Sequence, residues 1–162
     1  MSKAIIFMGS EKDRAHAEKM ISFWKDNGFE IEHEVRAMSA HKMAPAVLNA
    51  VKEFEKQENI VFIAVAGRSN ALGPLLAGHS RFPVINCPPL SEKFDFMDLL
   101  SSIRMPNNVP CVTILEPENA ALHAVKVFAL NNSTLRKKLA EYVEGVHGEI
   151  IKSDKRIKKE FE

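Results

Sequence analysis

The sequence contains little cysteine. Cys87 and Cys111 are its only two cysteines, and neither belongs to a CxxC motif or to a cysteine–histidine ligand pattern. Disulfide scaffolds and zinc sites need more ligands at closer spacing. We therefore expect no disulfide framework and no metal site, and a location in the reducing cytoplasm.

The sequence also lacks long hydrophobic runs and an excess of charge of either sign. The N-terminal apolar stretch, residues 4–8, gives way to the polar segment 9–13, and no run approaches the roughly 18 residues that span a bilayer. Lys and Arg number 22 against 21 Asp and Glu, a net charge of +1. This balance creates no long-range field for nucleic acid or an anionic membrane. We expect binding to neither.

The chain does contain enough apolar material for one core. Its 162 residues, 46% of them hydrophobic, have the size and composition of a single soluble domain. Area scaling indicates that about 70% of the unfolded chain's surface is buried on folding. We expect one domain over residues 1–162, in which about 131–162 form a C-terminal helical extension.

Strand-like runs alternate along the chain with segments of helical periodicity. The predicted strands are residues 4–8, 29–35, 60–66, 84–86 and 111–115. Apolar residues three or four apart predict helices at 14–27, 43–54, 70–78, 94–103, 118–130 and 133–150. Such alternation implies right-handed crossovers and a parallel sheet with helices on both faces. The predicted fold is a three-layer α/β/α domain, a doubly wound parallel sheet of flavodoxin-like order with an additional C-terminal helix.

The last predicted helix carries an apolar stripe from Leu135 to Ile150. This stripe fits either the domain's own sheet or a neighbouring subunit, and the pattern alone does not separate the two. The basic residues that follow, between 152 and 159, are interpreted as a solvated tail.

Polar loops follow the first three predicted strands, at 9–13, 38–42 and 67–70. In a doubly wound sheet these loops meet beyond the carboxyl ends of the strands, where ligands bind. Each loop has a serine at or near a helix start, and helix capping alone would explain any one of them. Three such serine-containing loops at one edge of the sheet together favour an anion site, above all for phosphate.

Three residues of these loops have predicted chemical roles. Lys42 suits a phosphate, whereas Asp13 would repel phosphate and suits sugar hydroxyls. His41 lies between Ala40 and Lys42, and an imidazole that titrates near pH 6.5 can both accept and deliver a proton. Cys87, before two prolines, is interpreted as a buried thiol and not as a nucleophile.

Five segments of the chain resemble the PurE family of purine biosynthesis. They are residues 8–13 (MGSEKD), 39–42 (SAHK), 64–74 (AVAGRSNALGP), 83–89 (PVINCPP) and 105–106 (MP). The resemblance extends from residue 4 to about 130. One departure is Glu11-Lys12, where the family usually has a small residue and a serine.

The resemblance implies one of two related activities. Mutases of the family carry a second histidine in the third loop and an arginine at the end of the second, whereas this chain has Ala71 and Lys42. Its pattern is similar to the branch that joins CO2 directly to C4 of 5-aminoimidazole ribonucleotide (AIR). The product is the 4-carboxy nucleotide (CAIR), the reaction is reversible, and it needs no ATP, biotin, metal or other cofactor. Family members also assemble as homo-octamers.

The resemblance also implies roles for individual residues. His41 is implied as the proton shuttle, with ribose and nearby phosphate oxygens at Ser10 and Asp13 and the 5′-phosphate at Ser39 and Lys42. The implied pocket for CO2 and the new carboxylate consists of Gly67, Arg68, Ser69, Asn70, Ala71 and Leu72. Arg68 has an alternative role as a subunit contact.

Three alternative functions would need other residues in the loops. A mutase of the same family would act on the N-carboxylated isomer of CAIR. A non-catalytic flavodoxin-like module would bind flavin or another nucleotide, but flavin sites normally bring aromatic residues into the loops, and Trp24 and Tyr142 lie on predicted helices. A phosphorelay receiver needs an aspartate after the third strand, where this chain has Ala-Gly-Arg.

Overall fold

A computed structural model describes residues 2–94 and 96–162. Within these residues, five strands form one parallel sheet: β1 Lys3–Met8, β2 Glu32–Ala37, β3 Ile60–Val65, β4 Val84–Asn86 and β5 Val112–Thr113. The order across the sheet is β2-β1-β3-β4-β5, and each neighbouring pair is parallel. This is the flavodoxin-like order, so the predicted fold class is confirmed.

The helices cover both faces of the sheet. In chain order they are α1 Arg14–Asp26, α2 Ala40–Phe54, α3 Leu72–His79, α4 Leu100–Ile103, α5 Pro117–Ala129 and α6 Ser133–Glu160. One core lies between the sheet and α1, α5 and the first turns of α6, and the other lies between the sheet and α2 and α3. The structure therefore has the three predicted layers.

The alternation of side chains along β1 explains this arrangement. Ile6 faces the core under α1 and α5, while Ile5 and Phe7 face the core under α2 and α3. All three side chains are fully buried. Burial of each such side chain contributes about 1.5–3 kcal/mol, so both faces of the strand need a covering helix.

Several predicted boundaries differ from the observed ones: α2 begins three residues earlier than predicted, β5 spans only Val112–Thr113, and β2 and α6 differ as follows. Strand β2 begins at Glu32, because Phe29 and Ile31 lead into it as core residues outside the sheet. Helix α6 continues ten residues beyond the predicted end at Ile150. Ion pairs such as Lys152–Glu149 and Arg156–Glu160 lie along this exposed extension and support a helix that has no core to pack on. Among the described residues, no helix is both long and apolar enough to cross a membrane.

The prediction of one continuous helix over 94–103 is wrong. The segment instead contains a 3₁₀ turn at Met97–Leu99 that leads into the single turn of α4, and another 3₁₀ turn at Glu92–Phe94 precedes it. Phe96 has a φ of +65°, which interrupts a right-handed helix. Asp95, also within the predicted helix, lies outside the described residues.

Helix α3 packs closely on β4 through Gly73. A Cβ atom at Gly73 would lie 1.7 Å from the Asn86 Oδ1 atom, whereas a Cβ at Gly78, in the same helix, would have Val109 Cγ2 at 3.9 Å as its nearest neighbour. We therefore predict that Gly73→Ala lowers the free energy of unfolding by about 1–3 kcal/mol through overpacking. The matched variant Gly78→Ala should raise it by up to about 1 kcal/mol through helix propensity. Urea denaturation measures both, and equal effects would contradict the packing argument.

Candidate active site

The loops after β1, β2 and β3 surround one open cavity. Its volume is about 740 Å³, within the range of small-molecule sites. Strands β1 and β3 are neighbours in the sheet although β2 lies between them in sequence, so the strand order reverses here. Loops diverge at such a point and leave a crevice for ligands. The cavity therefore lies at the edge of the sheet where the sequence predicts a site.

The first loop places a carboxylate and a cation at the cavity wall. The Oδ2 atom of Asp13 accepts hydrogen bonds from the Ser10 backbone N–H at 2.9 Å and from the Ser10 hydroxyl at 3.2 Å. Lys12 also lines the cavity, whereas Glu11 pairs with Arg14 at 3.2 Å. The unusual Glu11-Lys12 pair thus adds a positive charge to the cavity wall.

The second loop carries His41 and Lys42 on a separate turn. Helix α2 is broken at Met43, where φ is −146° and ψ is 40°. Pro45 lacks an N–H group, and the ring of a helical proline clashes with the carbonyl four residues earlier, which is that of His41. The break detaches the first turn from the regular helix, and the side chains of His41 and Lys42 are exposed at the cavity.

The third loop approaches its neighbour closely. A Cβ atom at Gly67 would lie 2.5 Å from the Pro89 carbonyl oxygen, so only glycine fits there without a shift of backbone. The next residue, Arg68, has a φ of +66°, a left-handed conformation that is strained for a side chain with Cβ. Ala71 and the buried Leu72 add an apolar part to the wall.

The structure brings nearly all the predicted site residues together. Those that line the cavity are Ser10, Asp13, Ser39, His41, Lys42, Gly67, Arg68, Ser69, Ala71 and Leu72. Asn70 does not line it, because its side chain is 2% exposed and is hydrogen-bonded inside the protein.

Sequence reasoning missed part of the wall. Lys12, Pro89, Leu90 and Ser91 also line the cavity. The last three follow β4, which pairs with β3, so their position after a fourth parallel strand was a usable signal. Residue spacing gives no comparable signal for Lys12. Glu11 lies in the same loop but pairs with Arg14, so position in the loop does not show which of the two side chains lines the cavity.

The cavity wall has an excess of positive charge. Among the described lining residues, Lys12, Lys42 and Arg68 are cationic, and Asp13 is the carboxylate. None of these described lining residues is Phe, Tyr or Trp, which disfavours a stacked flavin. Trp24 and Tyr142 instead lie in α1 and α6. The arrangement suits a small anion whose reacting part lies near an imidazole.

Other reactive side chains lie outside the cavity. His16 and His123 lie in α1 and α5, where burial lowers the pKa of both imidazoles. Cys87 is fully buried, and burial raises the pKa of its thiol to about 12. Cys87 is thus buried as predicted, and because the thiolate is the nucleophilic form, this burial disfavours a nucleophilic role.

A doubly wound α/β domain with a cationic cavity and a histidine in its wall is typical of domains that bind small anionic ligands. Comparison with known proteins gives the family. The model of the AIR carboxylase family matches residues 3–149. The chain therefore belongs to the AIR carboxylase family.

Individual relatives agree with this assignment. A phosphoribosylaminoimidazole carboxylase of Archaeoglobus fulgidus is 44% identical over 156 residues, which are 96% of this chain and 85% of that protein. The crystal structure of Treponema denticola PurE is 39% identical with a TM-score of 0.92, and covers 98% of this chain and 99% of that one. A Drosophila melanogaster protein, the bifunctional phosphoribosylaminoimidazole carboxylase/phosphoribosylaminoimidazole succinocarboxamide synthetase, is 42% identical over 83% of this chain but only 31% of its own length.

Proposed function

We propose that this protein catalyses the reversible carboxylation of AIR by CO2 to give CAIR, in purine biosynthesis. The main support is the single cavity that the three loops form, in which His41, three cations and an apolar wall segment meet. The chain that forms it belongs to the AIR carboxylase family. The third loop supports direct carboxylation over the mutase reaction, because Ala71 stands where mutases carry a second histidine. Relatives named as carboxylases support the same choice.

The nucleotide's phosphate and ribose fit the first two loops. Ser39 and Lys42 lie at the start of α2, where a hydroxyl and an ammonium group can hold the 5′-phosphate. Lys12 supplies a second cation from the first loop. Asp13 is held by Ser10, and its remaining acceptor capacity suits the ribose hydroxyls.

The third loop suits CO2 and the carboxylate formed from it. Ala71 and Leu72 give an apolar surface for the uncharged gas. Negative charge develops on the CO2 oxygens as the new bond forms, and Arg68 with the loop amides can stabilise it. The pocket therefore favours the transition state over free CO2.

His41 completes the reaction as a proton shuttle in this proposal. AIR is an electron-rich enamine, so its C4 attacks the carbon of CO2, a C–C bond forms, and one C=O electron pair moves onto oxygen as a carboxylate. C4 then carries both the carboxylate and its original hydrogen. His41 takes that hydrogen as a proton, and the C4–H electron pair restores aromaticity. In reverse, the imidazolium returns the proton to C4 and CO2 leaves.

The first experiment separates the two branches of the family. Purified protein is supplied with AIR and bicarbonate, or separately with the N-carboxylated isomer, and CAIR is followed by its absorbance. We predict CAIR from AIR in proportion to dissolved CO2, because the third loop lacks the mutases' second histidine. Conversion of the isomer alone would contradict direct carboxylation.

The second experiment tests the shuttle. We predict that His41→Asn lowers turnover in both directions by about 10²–10⁴-fold, the usual contribution of general acid–base catalysis. AIR binding, measured by calorimetry, should change little because the phosphate contacts remain. His79→Asn is the matched control, since His79 is exposed at the end of α3 and does not line the cavity. Turnover retained in His41→Asn would disprove the shuttle.

We also propose that the protein is a homo-oligomer, an octamer as in the family. The segment 96–103 supports a subunit contact, because Phe96, Met97 and Ile103 are 62%, 71% and 54% exposed. Asp98 lies among them with a buried carboxylate, and neither oxygen has a hydrogen-bond donor within the described part of the chain. An exposed apolar surface around an unsatisfied buried group is typical of an interface in a free subunit.

We propose that residues 1–162 act as one AIR carboxylase domain with residues 131–162 as its helical extension. A cytoplasmic location is supported by Cys87 and Cys111, both of which are free thiols.

A further inference from the structure

Asn70 lies in the third loop but points away from the cavity. Its side chain is 2% exposed, while Arg68 and Ser69 beside it are exposed. A buried polar side chain inside an otherwise exposed loop needs a structural reason, because its burial is unfavourable without hydrogen bonds. The partners of Asn70 supply that reason.

Asn70 uses three groups for hydrogen bonds within the protein. Its Oδ1 atom accepts from the Gly73 N–H at 3.0 Å. Its Nδ2 group donates to the Ser102 hydroxyl at 3.0 Å, and its backbone N–H donates to the Ser101 hydroxyl at 2.8 Å. The loop is thereby tied both to the first turn of α3 and to α4.

Ser102 is in turn held by the sheet. Its carbonyl oxygen accepts from Asn86 Nδ2 at 3.1 Å and from the Thr113 hydroxyl at 2.7 Å. Asn86 is in β4 and Thr113 is in β5. Asn70 is therefore connected through Ser102 of α4 to two strands of the sheet.

The neighbouring backbone explains why an anchor is needed. A non-glycine residue with the φ of Arg68, +66°, is strained by about 1–3 kcal/mol and keeps that conformation only where its surroundings enforce it. On one side of Arg68, Gly67 packs against the Pro89 carbonyl. On the other side, two residues further along, Asn70 is fixed by its three hydrogen bonds. Arg68 and Ser69 are thus held at both ends.

We propose that Asn70 is a positioning residue, which acts through Ser101 and Ser102 to hold the 67–71 loop in the conformation that the CO2 pocket requires. This positioning role differs from the role predicted from the sequence, in which Asn70 contacts CO2 or the new carboxylate directly. The proposal rests on the proposed carboxylase function. It implies that loss of the anchor weakens use of CO2 more than binding of AIR, because Lys42 and Ser39 lie in a different loop.

The test compares two variants that remove hydrogen bonds of the anchor with one that leaves them all in place. Asn70→Ala removes the side-chain bonds, and Ser102→Ala removes only the hydroxyl that accepts from Asn70. Ser80→Ala is the matched control, since Ser80 lies at the far end of α3 and its hydroxyl bonds to Glu55 and Phe82, away from the cavity. Initial rates are measured with dissolved CO2 varied at saturating AIR and with AIR varied at saturating CO2. Hydrogen exchange of the 68–71 amides is measured in the same proteins.

We expect Asn70→Ala and Ser102→Ala to lower kcat/KM for CO2 by about tenfold to a hundredfold, as small misplacements of catalytic groups do. The KM for AIR should stay close to that of the parent, and the 68–71 amides should exchange faster. Ser80→Ala should show neither change. If Ser102→Ala does not fold, Ser101→Ala replaces it, and Ser101→Thr, which keeps the hydroxyl at a half-buried position, should restore use of CO2.

Two results would overturn the proposal. One is a rise in the KM for AIR with an unchanged response to CO2, which would make Asn70 part of nucleotide binding. The other is unchanged exchange of the 68–71 amides in Ser102→Ala. Absence of carboxylation by the parent protein would instead refute the proposed function, and the exchange measurement would still decide whether Asn70 anchors the loop.

Discussion

The two central strands, β1 and β3, are buried on both faces, and this burial restricts where polar chemistry can occur. Every residue of β3 from Ile60 to Val65 is buried, and so are residues 4–8 of β1. Unpaired polar groups within these strands would be costly to bury. The polar side chains next to β1 and β3 along the chain therefore lie in the loops beyond the strand ends. Because the strand order reverses between β1 and β3, those loops leave room for a ligand.

In the proposed function, the local charges at these loops bind the anionic nucleotide, although the protein as a whole is nearly neutral. A net charge of +1 gives no long-range attraction, but Lys12, Lys42 and Arg68 are gathered around one cavity. Part of the wall is apolar, at Ala71 and Leu72, which suits an uncharged reactant beside an anionic one. Position within the sheet, and not overall charge, thus determines the chemistry of the site.

Much of this could be predicted from local sequence. The buried runs at 4–8 and 60–66 are strands because their residues are apolar throughout, and the loops after them carry most of the cavity wall. The prediction of a helix over 94–103 was wrong because most of its regularly spaced apolar residues do not pack in the core. Met97 and Ile103 are exposed, and Ser102 is held by contacts with other elements.

The inward orientation of the Asn70 side chain could not be predicted from neighbouring residues, again because contacts with distant elements determine it. Its neighbours Arg68 and Ser69 do line the cavity, so its place in the loop suggested the same for its side chain. The partners that turn it inward, Ser101 and Ser102, lie more than thirty residues away in the chain. Only the folded arrangement of α4 against β4 and β5 brings them to the loop.

In the proposed function, the three loops enclose one AIR molecule with its C4 atom at His41. A crystal structure of the protein with AIR bound would show where the ligand lies. We predict that the 5′-phosphate contacts Ser39 and Lys42, and that C4 lies within about 3.5 Å of the His41 imidazole and faces the 67–71 loop. AIR bound outside this cavity, or within it with C4 directed away from His41, would refute the proposed role of His41.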